Sequence, residues 1–324
     1  MESAVLAERV RASSSGLVAD AMAPALDLCE VTCSFASAVA GGERYVAVAS
    51  TSLRVEAGEF VSVVGPTGCG KSTLLNMSAG LLQPTEGTVH VFGRPLVAFA
   101  DGINSRAGYM FQAESLLPWR TALGNVLLGL QYRGTDPERA QSIAMDWLER
   151  VGLDGFEHHY PHQLSGGMRK RTALAQTLAP DPDIILMDEP FSALDVQTRQ
   201  LMENEVLELW AAGSSRRSPV DHVQRMAGQP ATETTVDAHG GRKAVLFITH
   251  DLDEAIAMSD RVVVLSAGPA THPIGEFVID LPRPRDVAEV RHHPRFIELH
   301  TQIWNVLRDE VQKGYAQQRR RAKS

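Results

Sequence analysis

The run Gly65-Pro66-Thr67-Gly68-Cys69-Gly70-Lys71-Ser72 constrains the fold more than any other part of the chain. It has the form G-x-x-x-x-G-K-S. Phe60-Val61-Ser62-Val63-Val64 leads into it, mostly apolar and rich in β-branched residues, as suits a buried strand. Ser72-Thr73-Leu74-Leu75-Asn76-Met77 continues from it as a helix. In a glycine-rich turn between strand and helix, successive backbone N–H groups can converge on a polyphosphate where side chains would clash. Gly65, Gly68 and Gly70 leave that room, Lys71 can reach the β- and γ-phosphates, and Ser72 can ligate Mg²⁺. A chance glycine turn would lack the flanking strand and helix.

The rest of the chain extends this strand–turn–helix unit into an α/β fold. Ile184-Ile185-Leu186-Met187, Ala244-Val245-Leu246-Phe247-Ile248 and Arg261-Val262-Val263-Val264-Leu265 read as three more buried strands. Strands alternating with helices predict a mostly parallel, doubly wound core. Before Val64, Leu26 to Val31 largely alternates apolar and polar, and Tyr45 to Val48 and Leu53 to Val55 follow, with a turn at Ala57-Gly58-Glu59. These predict an antiparallel β subdomain. Leu117 to Ala179 reads as helical, and Ile143, Ala144, Trp147 and Leu148 share one face of an amphipathic helix. The domain reading is a flexible N-terminal extension over 1–24, a main domain over 25–285, and a C-terminal helix with a basic tail over 286–324. Within the main domain, a helical lobe covers about 113–179 and a polar insertion about 213–241. The insertion, rich in Ser, Thr, Arg, Gln, Pro and Gly, is expected to loop out at the surface.

Bulk properties exclude several classes. At 324 residues, with 44% hydrophobic and 22% charged residues, the chain can bury a full core. No apolar stretch approaches 18 residues, so no segment is expected to span a bilayer. The start, Met1-Glu2-Ser3, lacks a basic region before an apolar one and is not expected to be a secretory signal. A net charge of −8 argues against a surface that coats nucleic acid. Cys29, Cys33 and Cys69 are expected to be reduced thiols, the first two as small core residues.

Four further segments carry chemistry. Met187-Asp188-Glu189-Pro190 places two carboxylates at the C-terminal end of a buried strand, facing the same crevice as the phosphate loop. Asp188 would hold Mg²⁺ and Glu189 would act as general base on a water. His250, at the end of the next strand, can hydrogen-bond a γ-phosphate. Gln112, in Tyr109-Met110-Phe111-Gln112, can ligate a cation through its amide oxygen; taken alone that signal is poor. Leu164-Ser165-Gly166-Gly167-Met168 is a Ser-Gly-Gly turn opening a helix.

Taken in order and spacing, from about Leu26 to Val311, the set resembles the ATP-binding subunits of ABC transporters, with the P-loop NTPase ABC-ATPase fold. The resemblance implies an ATP hydrolase that binds ATP and Mg²⁺. It makes Gly65 to Thr73 the Walker A loop, Gln112 the Q-loop, Leu164 to Met168 the signature, and Asp188 and Glu189 the Walker B pair. Ser192-Ala193-Leu194-Asp195 becomes the D-loop and His250 the switch histidine. Phe35 matches the aromatic that stacks on adenine, with Tyr45 as the fallback. The resemblance also implies a second copy closing head to tail, so that Ser165, Gly166 and Gly167 of one copy meet the nucleotide of the other. Leu116-Leu117-Pro118-Trp119, Tyr160-Pro161-His162-Gln163, Met168 and Leu281-Pro282-Arg283-Pro284-Arg285 are similar to importers of nitrate, taurine and aliphatic sulfonates. Such a subunit works on the cytoplasmic face of the membrane, with integral permease subunits and, indirectly, an extracytoplasmic solute-binding protein. The alternative is a soluble ABC ATPase with a non-transport role. Lys170 stands where this subfamily commonly has Gln, and is expected on the helix surface with little effect. Thr67 in place of Ser is conservative.

Overall fold

Every residue of β3 (Phe60–Val64), β7 (Ile184–Asp188) and β8 (Ala244–Ile248) is buried. Strands covered on both faces carry no polar-out alternation, which is why they read as continuous apolar runs. The computed structural model describes residues 23–36, 44–97, 106–113, 115–192, 194–212 and 242–321. The extension before residue 23, the 213–241 insertion, and the tail past residue 321 lie outside them.

The main sheet has the order β10-β9-β3-β8-β7-β6. Besides the three central strands it contains β6 (Ala107–Met110), β9 (Arg261–Leu265) and β10 (Pro273–Val278). All neighbours pair in parallel except β10, which runs antiparallel to β9. Its two faces hold two cores. Phe60, Val64, Met187, Val245 and Phe247 meet Trp210, Phe191 and the helical lobe. Val61, Val63, Ile184, Leu186 and Ile248 meet Leu74, Leu75 and Met77 of α1 (Lys71–Ser78), and then the second sheet.

That second sheet is antiparallel, ordered β2-β1-β4-β5, and is built from β1 (Leu26–Phe35), β2 (Tyr45–Val55), β4 (Glu86–Val91) and β5 (Arg94–Pro95). Cys29 and Cys33 lie on β1 as free thiols. The sequence reading breaks β2 into two pieces, whereas the strand is continuous. The polar interruption at Ser50-Thr51-Ser52 is bonded to β1 and, at Thr51, to Thr271 outside this sheet, instead of turning away. Ser50 N donates to Thr32 Oγ1 (3.0 Å), Glu30 N to Ser52 Oγ (3.0 Å), and Thr51 Oγ1 to Thr271 O (3.2 Å). Bulges in β1 at the same level take up the mismatch.

The helical lobe consists of α2 (Ala122–Tyr132), α3 (Pro137–Arg150) and α4 (Gly166–Leu178). Each starts at a side-chain cap: Thr121 accepts from Gly124 N, Asp136 from Arg139 N, and Ser165 from Met168 N. Ala144, Trp147 and Leu148 are buried on α3 as the periodicity requires, together with Ala140. Buried Asn125 closes the approach to the lobe, its amide donating to the carbonyls of Leu117, Arg120 and Thr121.

After the lobe come α5 (Val196–Ala212), α6 (Leu252–Met258), α7 (Val287–Val290) and α8 (Pro294–Arg321). Phe296, Leu299, Ile303 and Leu307 bury one face of α8 in the core shared with the helical lobe. Farther along, a Cβ at Gly314 would lie 3.3 Å from Pro66 Cβ, so α8 reaches the phosphate loop.

The Leu281-to-Arg285 motif has a physical explanation in the end of α6. The buried Arg285 guanidinium donates to the carbonyls of Ile256, Ala257, Ser259, Ile279 and Leu281. Arg283 bonds Met258 O (2.7 Å) and Asp260 (2.9 Å) and lies 4.1 Å over the Trp210 ring. A planar donor fork meets carbonyls on two segments, which an ammonium could not do with the same geometry. Arg285→Ala leaves those carbonyls without a donor and is expected to cost about 3 kcal/mol in a denaturant titration; Arg285→Lys is expected to recover only part of it.

Candidate active site

The phosphate loop leaves the C-terminal end of β3 and closes on itself through Cys69 N donating to Pro66 O (3.2 Å). Gly68 and Gly70 have φ of 76° and 115°, the left-handed region that glycine enters without strain. At Gly70 a Cβ would also meet Ala47 O and Thr271 Cγ2 at 3.2 Å. Lys71 is buried at the start of α1, and its Nζ donates to Gly65 O (2.8 Å) and Pro66 O (3.1 Å). The ammonium is therefore already held across the loop by the loop's own carbonyls. Thr67, Gly68 and Ser72 are exposed, and Thr73 is half-buried. The Cys69 thiol is buried, and burial raises its pKa.

Opposite the loop, Asp188 ends β7 and is buried. Burial raises its pKa above the usual carboxylate value; the hydrogen bond from Ser72 and the charges of Lys71 and Lys170 oppose that, while Glu189 adds to it. A buried carboxylate bonded to a serine hydroxyl is a hard, oxygen-only donor set, and it fits Mg²⁺.

Glu189 follows in a left-handed conformation, φ 46°, with its N–H donating to Ile248 O (2.9 Å). Such a backbone costs a non-glycine residue about 1 kcal/mol or more. It turns the carboxylate toward two side chains from neighbouring strand ends. Gln112 Nε2 donates to Glu189 Oε2 (2.9 Å), and His250 Nδ1 lies 3.3 Å from the same oxygen. Residues just past the ends of three neighbouring strands thus meet at one oxygen. The Gln112 amide nitrogen faces Glu189, which leaves the amide oxygen as the atom for a cation.

The signature turn stands in the other lobe. Ser165 caps α4 and is exposed, and a Cβ at Gly167 would touch Leu194 Cδ2 at 3.4 Å. Asp195 accepts from Thr198 N (3.0 Å), a bond that lowers its pKa. Ala193 lies outside the described residues. Phe35 and Tyr45 pair across β1 and β2 and are both exposed, so the structure places the two candidate aromatics side by side.

Lys170 corrects the sequence reading. It is 3% exposed, not a surface residue, and its Nζ donates to Gln112 O. The reason is the helix face: Lys170 shares an i, i+3, i+4 stripe with Ala173 and Leu174, both buried. That spacing was the available signal, and the residue type obscured it. Arg199 was also missed. It bonds Leu194 O (3.2 Å) and lies 3.5 Å from Asp251 and 3.8 Å from Glu254, joining the segment before α5 to the one after His250.

Comparison with known proteins identifies the family. A family model described as ABC transporter matches residues 48–192. An uncharacterised ABC transporter ATP-binding protein of Methanocaldococcus jannaschii is 43% identical over 274 residues, covering 84% of this chain and 88% of that one. This chain belongs to the ABC transporter ATP-binding family. The ABC subunit is also 40% identical to a taurine import ATP-binding protein of Yersinia pestis, over 69% of this chain and 75% of the relative. A nitrate import ATP-binding protein of Synechococcus elongatus is 37% identical over 87% of this chain, which spans 37% of that longer protein. Among solved structures, a dimeric ATP-binding cassette bound to ADP and Pi has a TM-score of 0.64 at 29% identity, covering 79% of this chain and all of that one. The ABC subunit is thus an ATP-binding, ATP-hydrolysing transport protein with a P-loop fold.

Near Asp251 and Glu254, the ABC subunit keeps a further acidic group. Glu203 on α5 is fully buried, and neither carboxylate oxygen has a hydrogen-bond partner. Arg291 is 3.9 Å away, too far to bond. Burial, with Glu254 nearby, pushes its pKa up to about 8. A carboxyl that binds its proton more tightly when folded contributes stability that is complete below the ordinary Glu range and lost as pH rises through its folded value. Wild type is therefore expected to lose more thermal stability than Glu203→Gln between roughly pH 5 and pH 9, in melting curves across that range. Equal slopes for the two proteins would contradict a buried, protonated Glu203.

Proposed function

We propose that the chain is the ATPase subunit of an importer for a small solute such as nitrate, taurine or a sulfonate. The observation that carries the hydrolytic part is the shared oxygen of Glu189, approached by Gln112 and His250 and set beside the Lys71–Ser72–Asp188 cluster. The import reading is supported by the taurine and nitrate relatives and by the exposed aromatics of the helical lobe. Trp119, seven residues past Gln112 in the chain, is 70% exposed and Tyr132 is 86% exposed. We assign these exposed aromatics of the helical lobe to the side that meets the permease subunits. They favour transport over a soluble, non-transport ATPase, as do the names of the relatives. The subunit would sit peripherally on the cytoplasmic face of the membrane, touching the extracytoplasmic solute-binding protein only through the permease. The net charge of −8 gives no support to a nucleic-acid partner.

The residues divide the reaction as follows. N–H groups of the loop from Gly65 to Thr73, Pro66 having none, face the β- and γ-phosphates, and Lys71 exchanges its two carbonyl partners for phosphate oxygens. Phe35 or Tyr45 stacks on adenine. Ser72, Asp188 and Gln112 would hold Mg²⁺, which supplies charge neutralisation at the β- and γ-oxygens when bound. Glu189 accepts a proton from the water that forms the new P–O bond, as the bond from γ-phosphorus to the ADP oxygen breaks. His250 donates to the γ-phosphate and steadies Glu189. In a second copy, Ser165, Gly166 and Gly167 present the start of α4 to the same phosphate, where free N–H groups and the helix dipole favour negative charge. Asp195 then lies at the boundary between the copies. The dimeric cassette found among similar structures supports this pairing.

Glu189→Gln is expected to bind ATP, to turn over at least about 100-fold more slowly, and to run as an ATP-dependent dimer in size-exclusion with light scattering. A variant that binds ATP yet stays monomeric would count against the paired site. Lys71→Ala should weaken nucleotide binding itself, as read by equilibrium titration. Ser165→Arg should bind ATP like wild type but lose hydrolysis; normal turnover in that variant would remove the signature turn from the site.

A further inference from the structure

A charged side chain is rarely buried without a specific partner. Lys170 is 3% exposed and, with Met110, Phe191 and Leu194, lines a cleft too small for a water. Those neighbours belong to three segments of the site: the end of β6, the residues after Glu189, and the segment before Asp195. The ammonium donates to the main-chain carbonyl of Gln112. Gln112 in turn donates through its side chain to Glu189 Oε2 (2.9 Å), and His250 Nδ1 lies 3.3 Å from that oxygen. A continuous polar path therefore runs from the signature helix α4 to the carboxylate, entering through Lys170.

We propose that Lys170 is a positioning residue that ties α4 to the Gln112 turn, so that displacement of the helical lobe is delivered to the Glu189 carboxylate. The catalytic half of this proposal rests on the ATP-site reading above; the mechanical half does not. A main-chain carbonyl is a suitable anchor, because holding it leaves the Gln112 side chain free to exchange one partner for another. The ammonium can hold that carbonyl through any of three N–H donors on a four-carbon stem, so the tie survives small rotations of the helix. A Gln at this position would be shorter and uncharged, with a weaker bond to the same carbonyl.

The test uses the full-length chain and three variants. Lys170→Met keeps the apolar stem and removes the donor; Lys170→Arg restores a charged donor. Lys170→Gln, polar but neutral, replaces the Met variant if that one does not fold. Hydrogen–deuterium exchange without nucleotide is read on a peptide spanning residues 106–117. It is expected to rise about tenfold in Lys170→Met and to remain near wild type in Lys170→Arg. In steady-state ATPase assays, kcat is expected to fall about tenfold with KM for ATP changed less than about twofold. In a Gln112→Ala background, the same Lys170→Met change should cost less than about a further twofold, because the path is already cut. Unchanged exchange in the 106–117 peptide overturns the tie whatever the turnover. Faster exchange with unchanged kcat, or a loss of turnover that adds fully to that of Gln112→Ala, overturns the coupling to Glu189. A wild-type chain that hydrolyses no ATP overturns the ATP-site reading instead and leaves the tie to be judged by exchange alone.

Discussion

The site depends on the register in which β6, β7 and β8 lie side by side. Met110 pairs with Met187, and Asp188 with Ile248, so the three strands end at one level. Glu189 N then donates to Ile248 O, which carries the pairing one residue past the regular strand and fixes where the carboxylate starts. Because parallel strands point the same way, their C-terminal ends deliver Gln112, Glu189 and His250 to one edge. β3, next to β8, delivers the phosphate loop to that edge as well. A slip of one residue would turn each side chain to the opposite face. The completely buried strands, packed on both faces, make such a slip costly.

The strain at Glu189 belongs to the same arrangement. A residue with side chain and positive φ persists only where its surroundings hold it, and here the surroundings are the Ile248 carbonyl on one side and the Gln112 and Ser192 contacts on the other. Ser192 Oγ donates to Glu189 O (3.0 Å), so the main chain on the far side of the carboxylate is also secured. The chemistry sits on rigid strand ends, whereas the signature turn sits on a helix of the other lobe. Lys170 crosses from that helix to the Gln112 carbonyl, while Arg199 ties Leu194 to Asp251 and Glu254.

That the Gly65–Ser72 turn, the Asp188–Glu189 pair and His250 would share one edge was legible in the sequence, because each follows a run of apolar residues that reads as a buried strand. β6 was not legible as a strand: it has only four residues and includes a glycine, too little for a period. β10 alternates partly buried and exposed residues at a sheet edge, and a polar face there resembles a loop. β2 read as two pieces because Ser50, Thr51 and Ser52 look like a turn until their hydrogen-bond partners are known. Lys170 and Glu203 were hidden for a different reason. A charged residue on an amphipathic helix is assigned to solvent by type, and only the position of its neighbours on the same stripe shows that it faces inward. Phe35 and Tyr45 remain adjacent candidates, since pairing across two strands puts both at the same sheet end.

The contact between Gly314 of α8 and Pro66 of the phosphate loop links residues far apart in the chain. The loop is made early, as the chain leaves the ribosome, and its neighbour on α8 is made late. β3, which carries the loop, pairs with β8 and β9, so the loop's supporting strands as well as its outer wall are made late. A nascent chain therefore spends most of its translation with the Gly65–Ser72 segment made but without the strands and helix that flank it in the finished fold.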